Sequence, residues 1–254
     1  MVDQGRLSDK VVIVTGGGQG FGEGIVAKCV AEGAKVLLLD INESNAAKVA
    51  SQHPHGSAIP MLADVSCEED WQKALDLVLS TFGKLDVVIN NAGVNNFAQS
   101  SIELPESEFD RLFRINVKQL FFSTRTIIPY FKKQGKGLFV NISSVSATRP
   151  REGLVWYGAS KAAVSNATRG LAAEWAKDNI RFNAICPVAG DTGMVENYLG
   201  KPDTPENRKG VLAGIPLGRL CQPFDIANMA AYLASDEAEF MTGSIIDVDG
   251  GRTI

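Results

Sequence analysis

The chain is poor in the residue types that most often carry metal and hydrolytic chemistry. Only two histidines occur in 254 residues, His53 and His55, on either side of Pro54. A His-x-His pair alone lacks the carboxylates that would complete a metal site, so no metal centre is expected. Neither histidine sits at a strand end, which argues against a His-based catalytic triad. The four cysteines, Cys29, Cys67, Cys186 and Cys221, are far apart and make no C-x-x-C pair. They read as reduced thiols of a cytoplasmic protein, not as a disulfide frame. No apolar run is long enough to span a bilayer, and Met1–Arg6 lacks the apolar core of a signal peptide. An excess of positive charge is missing too. The net charge of −4 argues against nucleic acid or an anionic membrane as a partner held by bulk electrostatics.

What is present begins with Lys10-Val11-Val12-Ile13-Val14-Thr15, a short apolar run of the kind buried on both faces of a parallel sheet. It leads into Gly16-Gly17-Gly18-Gln19-Gly20-Phe21-Gly22 and then a helical stretch with Ile25, Val26, Cys29 and Val30 on one side, closed by Gly33. Strand, glycine turn and helix together aim backbone N–H groups and a helix N-terminus at a phosphate. A P-loop reading fails, because Glu23-Gly24 follows Gly22 where Lys is required. The strict G-x-G-x-x-G spacing is not met either, but the looser glycine loop still lets the backbone approach a pyrophosphate. The next strand, Lys35–Leu39, ends at Asp40. Its carboxylate is placed either to accept hydrogen bonds from adenosine ribose hydroxyls or to cap the helix around 45–51.

Tyr157 and Lys161 are spaced to lie one turn apart on one helix face. A phenol works as an acid or base near neutral pH when a cation lowers its pKa, and Lys161 is that cation. Ser144, at the end of the apolar strand Leu138–Ile142, would add a hydrogen bond to the oxygen that the phenol serves. The alternative is a core tyrosine with a snorkelling lysine.

Further strands are expected at 59–63, ending at Asp64, at 85–89, ending at Asn90-Asn91-Ala92-Gly93, at 180–186 and at 244–248. Helices are expected at about 68–82, at 106–133 with a kink at Pro129, and at 225–234. Residues 187–216 are rich in Gly and Pro and read as a functional loop inserted into the alternation. The alternation predicts an α/β fold: a doubly wound, Rossmann-type parallel sheet of about seven strands, with residues 1–254 as a single dinucleotide-binding catalytic domain. The marked residues all fall at or just past carboxyl ends of strands, where such sheets bind ligands.

Taken together, Thr15-Gly16…Gly20-Phe21-Gly22, Asp64-Val65, Asn90-Asn91-Ala92-Gly93, Asn116, Ser144, Tyr157-Gly158-Ala159-Ser160-Lys161 and Pro187…Thr192 resemble the short-chain dehydrogenase/reductase family over the whole chain. The resemblance implies a catalytic set of Asn116, Ser144, Tyr157 and Lys161, with Asn116 anchoring a water on the proton path. It implies a cofactor site of Gly16, Gln19, Gly20, Phe21, Gly22, Asp40, Ile41, Asp64, Val65, Asn90, Ala92, Gly93, Tyr157, Lys161, Pro187, Val188 and Thr192. In it Asp64 lies at the adenine, Asn90 near the adenosine ribose and Thr192 at the nicotinamide carboxamide. Two departures stand out: Phe21 replaces a smaller aliphatic residue, and Val188-Ala189-Gly190 follows Pro187 in place of Pro-Gly.

The expected activity is NAD(H)-dependent interconversion of a secondary alcohol and a ketone. Asp40 and the lack of a basic residue in the glycine loop point to NAD(H) over NADP(H). Alternatives are an NADP(H)-dependent 3-oxoacyl or cyclic or aromatic ketone reductase, and a non-catalytic dinucleotide-binding regulator. The substrate is expected at Asn95, Ser144, Val145, Tyr157 and Met194, in a pocket walled also by Arg149, Arg151, Trp156, Asp191 and Tyr198. A polar alcohol or ketone such as a polyol, sugar or keto acid derivative is favoured. The helices through Leu120–Phe122 and Leu171–Trp175 carry more apolar surface than one sheet face needs, and the family resemblance implies that they and the C-terminal strand pair between copies in a homotetramer.

Overall fold

The structure is a computed structural model and describes residues 5–254. Residues 1–4, part of the segment read above for a signal peptide, lie outside the described residues. Seven strands form one parallel sheet in the order β3-β2-β1-β4-β5-β6-β7. These are β1 (Val11–Thr15), β2 (Lys35–Asp40), β3 (Ala58–Leu62), β4 (Val87–Asn90), β5 (Gly137–Ile142), β6 (Ile180–Pro187) and β7 (Ile245–Val248). The chain runs outward from β1 to β3, then returns to the other side of β1 through β4. The order therefore reverses between β1 and β4, and loops at their carboxyl ends diverge into a crevice there.

Strand alternation sorts the core into two layers. Val12, Val14, Val36 and Leu38 face α1 (Gly20–Ala31), α2 (Glu43–Ser51) and α9 (Pro223–Ala234), through Ile25, Val26, Val49 and Ile226. Val11, Ile13, Leu37 and Leu39 face α3 (Glu68–Phe82) and α5 (Lys118–Gln134), through Trp71, Leu75, Val78, Ile127 and Phe131. The helix α6 (Val155–Trp175) covers β5 and β6 on this second face through Ala172. Helix α3 is stabilised at its start by Glu68, Glu69 and Asp70, which oppose the positive end of the helix dipole, and is closed by Gly83 in the left-handed conformation.

Two expectations need correction. The single helix from about 106 to 133 is α4 (Glu106–Asn116) followed by α5, broken at Val117. Pro129 lies inside α5, which continues past it to Gln134. The break is local and comes from Asn116, whose side chain bonds both backbone groups of Val94 and so holds the end of α4 against β4's loop. The 187–216 loop, in turn, carries two short helices, α7 (Val195–Leu199) and α8 (Pro205–Leu212). Among the described residues no helix is long and apolar enough to cross a membrane, and all four cysteines are unpaired.

Candidate active site

A cleft of about 300 Å3 opens at the carboxyl ends of the strands around the β1/β4 reversal. One end is the glycine turn. Gly16, Gln19, Gly20 and Phe21 line it, with Asp40 and Ile41 beyond β2 and Asp64 and Val65 beyond β3. The turn is held tightly: a Cβ at Gly22 would lie 1.8 Å from the Gly16 carbonyl oxygen, so Gly22 belongs to the support of the loop and not to the cleft wall. A backbone this close-packed, with a helix N-terminus behind it, fits a phosphate-bearing dinucleotide.

Asp40 is fixed where it stands. Its Oδ2 accepts the Gly18 N–H and its Oδ1 the Asn42 N–H, both at 2.9 Å. The cap of α2 is Asn42, whose side chain accepts the Asn45 N–H, so Asp40 is not spent as a helix cap. Asp40 keeps lone pairs free to accept from ribose hydroxyls. Asp64 Oδ1 accepts from the Ser66 N–H, which shapes the turn after β3.

Of the paired asparagines, the cleft takes the second. Asn90 is buried beneath it and donates to Ser123 Oγ and Asn141 Oδ1, so it does not itself line the cleft. The last residue of β4 alternates inward, toward α5. Asn91 instead donates to the carbonyls of Thr15 and Gly16 and ties the glycine turn to β4. Ala92 and Gly93 line the cleft as expected. Phe21 does more than change helix packing. Its ring lines the cleft and fills the space a Cβ at Gly190 would need, 2.4 Å from its Cζ.

The other end of the cleft holds Ser144, Val145, Tyr157 and Lys161, with Pro187, Val188, Thr192 and Met194 from the segment after β6. Tyr157 and Lys161 sit on the first turns of α6, whose Ala- and Ser-rich sequence keeps it helical and thin enough to pack on β5. Ser144 follows β5 and opens a 3-10 turn, its Oγ accepting the Ser146 N–H. Lys161 Nζ donates to the Ile142 carbonyl at 2.8 Å. Asn116 does not line the cleft; its Nδ2 donates to Ser160 Oγ, one residue from Lys161. A Cβ at Gly93 would touch both Lys161 Nζ and Asn116 Oδ1, at 3.1 and 3.2 Å, so the two groups converge over that glycine.

Burial dominates the electrostatics. It pushes the Tyr157 phenol up to about 12, against the opposing influence of Ser144, and pulls the Lys161 ammonium down to about 8. Lys161 is not among the groups that move the phenol, which corrects the expected lowering: loss of water sets both shifts, and the ammonium is aimed at the Ile142 carbonyl. A folded-state value of about 8 against 10.5 for free lysine means the charge is buried at a cost below pH 8, a cost that fades between pH 8 and 10.5. That cost is about 3 kcal/mol, offset by about 1 kcal/mol for the hydrogen bond. Lys161→Met should therefore raise Tm by about 4–8 °C at pH 7, and the gain should vanish near about pH 10, where the fading cost no longer exceeds the lost hydrogen bond, in calorimetric melts across that range.

The residues of the expected substrate wall divide between the cleft and its surroundings. Asn95, Met194 and Tyr198 line the cleft. The Asn95 amide is already engaged, donating to the Met194 carbonyl at 3.2 Å and accepting from Asn197, so it braces α7 against the loop after β4. Arg149, Arg151, Trp156 and Asp191 lie outside the cleft: Trp156 packs edge-on against Phe109 and Asp191 pairs with Arg208. Ser143 and Ala189 line it unexpectedly.

Comparison with known proteins agrees with this geometry. A family model described as enoyl-(acyl carrier protein) reductase matches residues 16–253. The 4-formylbenzenesulfonate dehydrogenase of Comamonas testosteroni is 43% identical, the match covering 98% of this chain and 100% of that one. A cyclopentanol dehydrogenase from a Comamonas strain is 37% identical, over 98% of this chain and 99% of the other. The 3-ketoacyl-(acyl-carrier-protein) reductase of Brucella melitensis, solved in complex with NADH, superposes with a TM-score of 0.92 at 39% identity, over 98% of this chain and 100% of that one. With its glycine turn, its Ser144, Tyr157 and Lys161 in one cleft and these full-length matches, the chain belongs to the short-chain dehydrogenase/reductase family.

Proposed function

We propose that this oxidoreductase uses NAD(H) to interconvert a secondary alcohol and a ketone, with Tyr157 as the general acid and base. The observation that carries the reading is one cleft holding Tyr157, Ser144 and Lys161 at one end and Asp40 at the other. The nicotinamide ring, when bound, supplies or accepts the hydride. The chain's own part is to hold the substrate and move its proton. Tyr157, protonated at neutral pH, gives its proton to a carbonyl oxygen during reduction and takes it back during oxidation. Ser144 donates to the same oxygen and fixes its position. Lys161, charged below about pH 8, stabilises the phenolate left behind. Asn116 holds the Val94 turn and Ser160 beside this group, where a water can pass the proton outward.

NAD(H) is favoured by charge. Among the described residues that line the cleft, Lys161 is the sole cation, and it sits at the reaction end. A 2′-phosphate would face Asp40 with no cation to pair with, while an unmodified ribose finds an acceptor there. The NADH in the Brucella melitensis neighbour supports a nicotinamide dinucleotide. The wild-type protein should show a higher kcat/KM with NADH than with NADPH, and Asp40→Ala should narrow the gap by about tenfold. Steady-state kinetics with both cofactors checks this, and a preference for NADPH in the unmodified protein would overturn it.

The protein is further proposed to act in the cytoplasm as a homotetramer. Phe121 on α5 and Phe240 before the edge strand β7 are large apolar side chains open to solvent, as a face awaiting a second copy would be. Light scattering should return four times the 27.2 kDa chain mass, and the mass of one chain would rule the tetramer out.

A further inference from the structure

Behind Tyr198 the cleft has a neighbour. A second pocket, of about 150 Å3, is lined by Arg151, Lys201 and Arg252 together with Tyr198 and Asn207. Tyr198 also lines the reaction cleft, so one aromatic ring is the partition between the two spaces. The cations come from three separate stretches of chain: the approach to α6, the turn after α7 and the C-terminal tail.

None of these three cations belongs to an ion pair among the described residues. Three carboxylates of the same segment are engaged elsewhere, Arg208 taking both Asp191 and Asp203 and Lys209 taking Glu206, while Glu152 and Glu196 are exposed and do not line the pocket. Arg151 is nonetheless oriented. Its guanidinium lies 4.1 Å over the Tyr198 ring and one Nη donates to the Tyr198 carbonyl at 2.8 Å. Arg252 reaches only the Gly214 carbonyl, at 3.5 Å. Each guanidinium carries five donors, so most of those in this pocket remain unspent. Three like charges around so small a space repel one another, and what relieves that repulsion is an anion.

Resting on the oxidoreductase reading above, we propose that this pocket is a subsite for an anionic group of the substrate, a carboxylate, sulfonate or phosphate. The carbonyl or carbinol of the same molecule lies at Tyr157 and Ser144, and Tyr198 packs against the link between the two ends. The substrate class is thus an alcohol or ketone that bears a negative charge, such as a keto acid. Fork-shaped guanidinium donors match planar or tetrahedral oxyanions, and a neutral group of the same shape gains nothing from them.

The test compares matched pairs in NADH-dependent reduction by the intact protein: 4-acetylbenzoate against 4-acetylbenzamide, and levulinate against levulinamide. The acids should exceed the amides in kcat/KM by about tenfold or more, mainly through KM. In the double variant Lys201→Met/Arg252→Met that ratio should collapse toward one, and in the wild type it should shrink at about 0.3 M salt. Equal kcat/KM for acid and amide, or a ratio the double variant does not move, overturns the subsite while the oxidoreductase reading stands. Calorimetric titration with benzenesulfonate and benzenesulfonamide reads the pocket without turnover. Binding of the sulfonate alone, lost in the double variant, upholds the anion site even if no carbonyl compound is reduced. In that event it is the oxidoreductase reading that fails. Equal or no binding of the two in calorimetry, with no turnover of either pair, overturns the site as well.

Discussion

Tyr157→Phe should lower kcat by about 10²–10⁴-fold, with the fold and the dinucleotide affinity preserved. The change removes one oxygen from a side chain that is nine-tenths buried, so it leaves no cavity and exposes no new surface. What it removes is the proposed proton source. No imidazole or carboxyl group stands beside Ser144: the acids that line the cleft, Asp40 and Asp64, lie at its far end, and neither histidine lines it. Tyr198 is the other phenol in the lining, and its backbone and ring are held by Arg151. Calorimetric titration with NADH would establish that the site is intact, and stopped-flow hydride transfer would read the chemical step. A variant with near-normal kcat would sink the assignment of Tyr157 as acid and base.

Gly22→Ala should raise the Kd for NADH by about 100-fold and lower the melting temperature. The new Cβ would fall 1.8 Å from the Gly16 carbonyl oxygen and 2.7 Å from Asn91 Nδ2. Both are parts of the tie between the glycine turn and β4, and neither is the free end of a flexible side chain. The turn has to move by more than an ångström, and a shift of that size in a positioning element costs on the order of 10². Gly193→Ala is the matched control. Gly193 lines the same cleft, yet a Cβ there meets nothing within 4 Å, so the variant should bind NADH normally. If the two alanines weaken binding equally, the cradle is not held by close packing.

The fold was legible because each buried strand is a short apolar run that ends in a residue of different character: Thr15, Asp40, Asn90. Those terminal residues also announced the site. What could not be read was which way each of them turns. Asn90 and Asn91 are indistinguishable as letters, and the half-turn at the end of β4 sends the first into the core and the second to the glycine turn. The protonation of Tyr157 and Lys161 was not legible from their spacing, because burial depends on everything packed around both groups. Helices α7 and α8 escaped notice for a different reason. At five and eight residues they are too short to display an amphipathic period, and α7 is held by contacts to Asn95, 99 residues before Met194. The Arg151, Lys201 and Arg252 pocket draws on segments far apart in the chain, and no local pattern marks it.

The meeting of Phe21 with Gly190 makes the two positions a single unit of change. A side chain can be added at 190 only after the ring at 21 has been cut back. In the reverse order the first step forces an aromatic ring out of the cleft wall. Sequences drifting away from this one therefore have a permitted route and a blocked one between the same two endpoints. An aromatic residue at position 21 acts as a ratchet that keeps position 190 bare, so what the segment after β6 can carry is limited by a choice made at the start of α1.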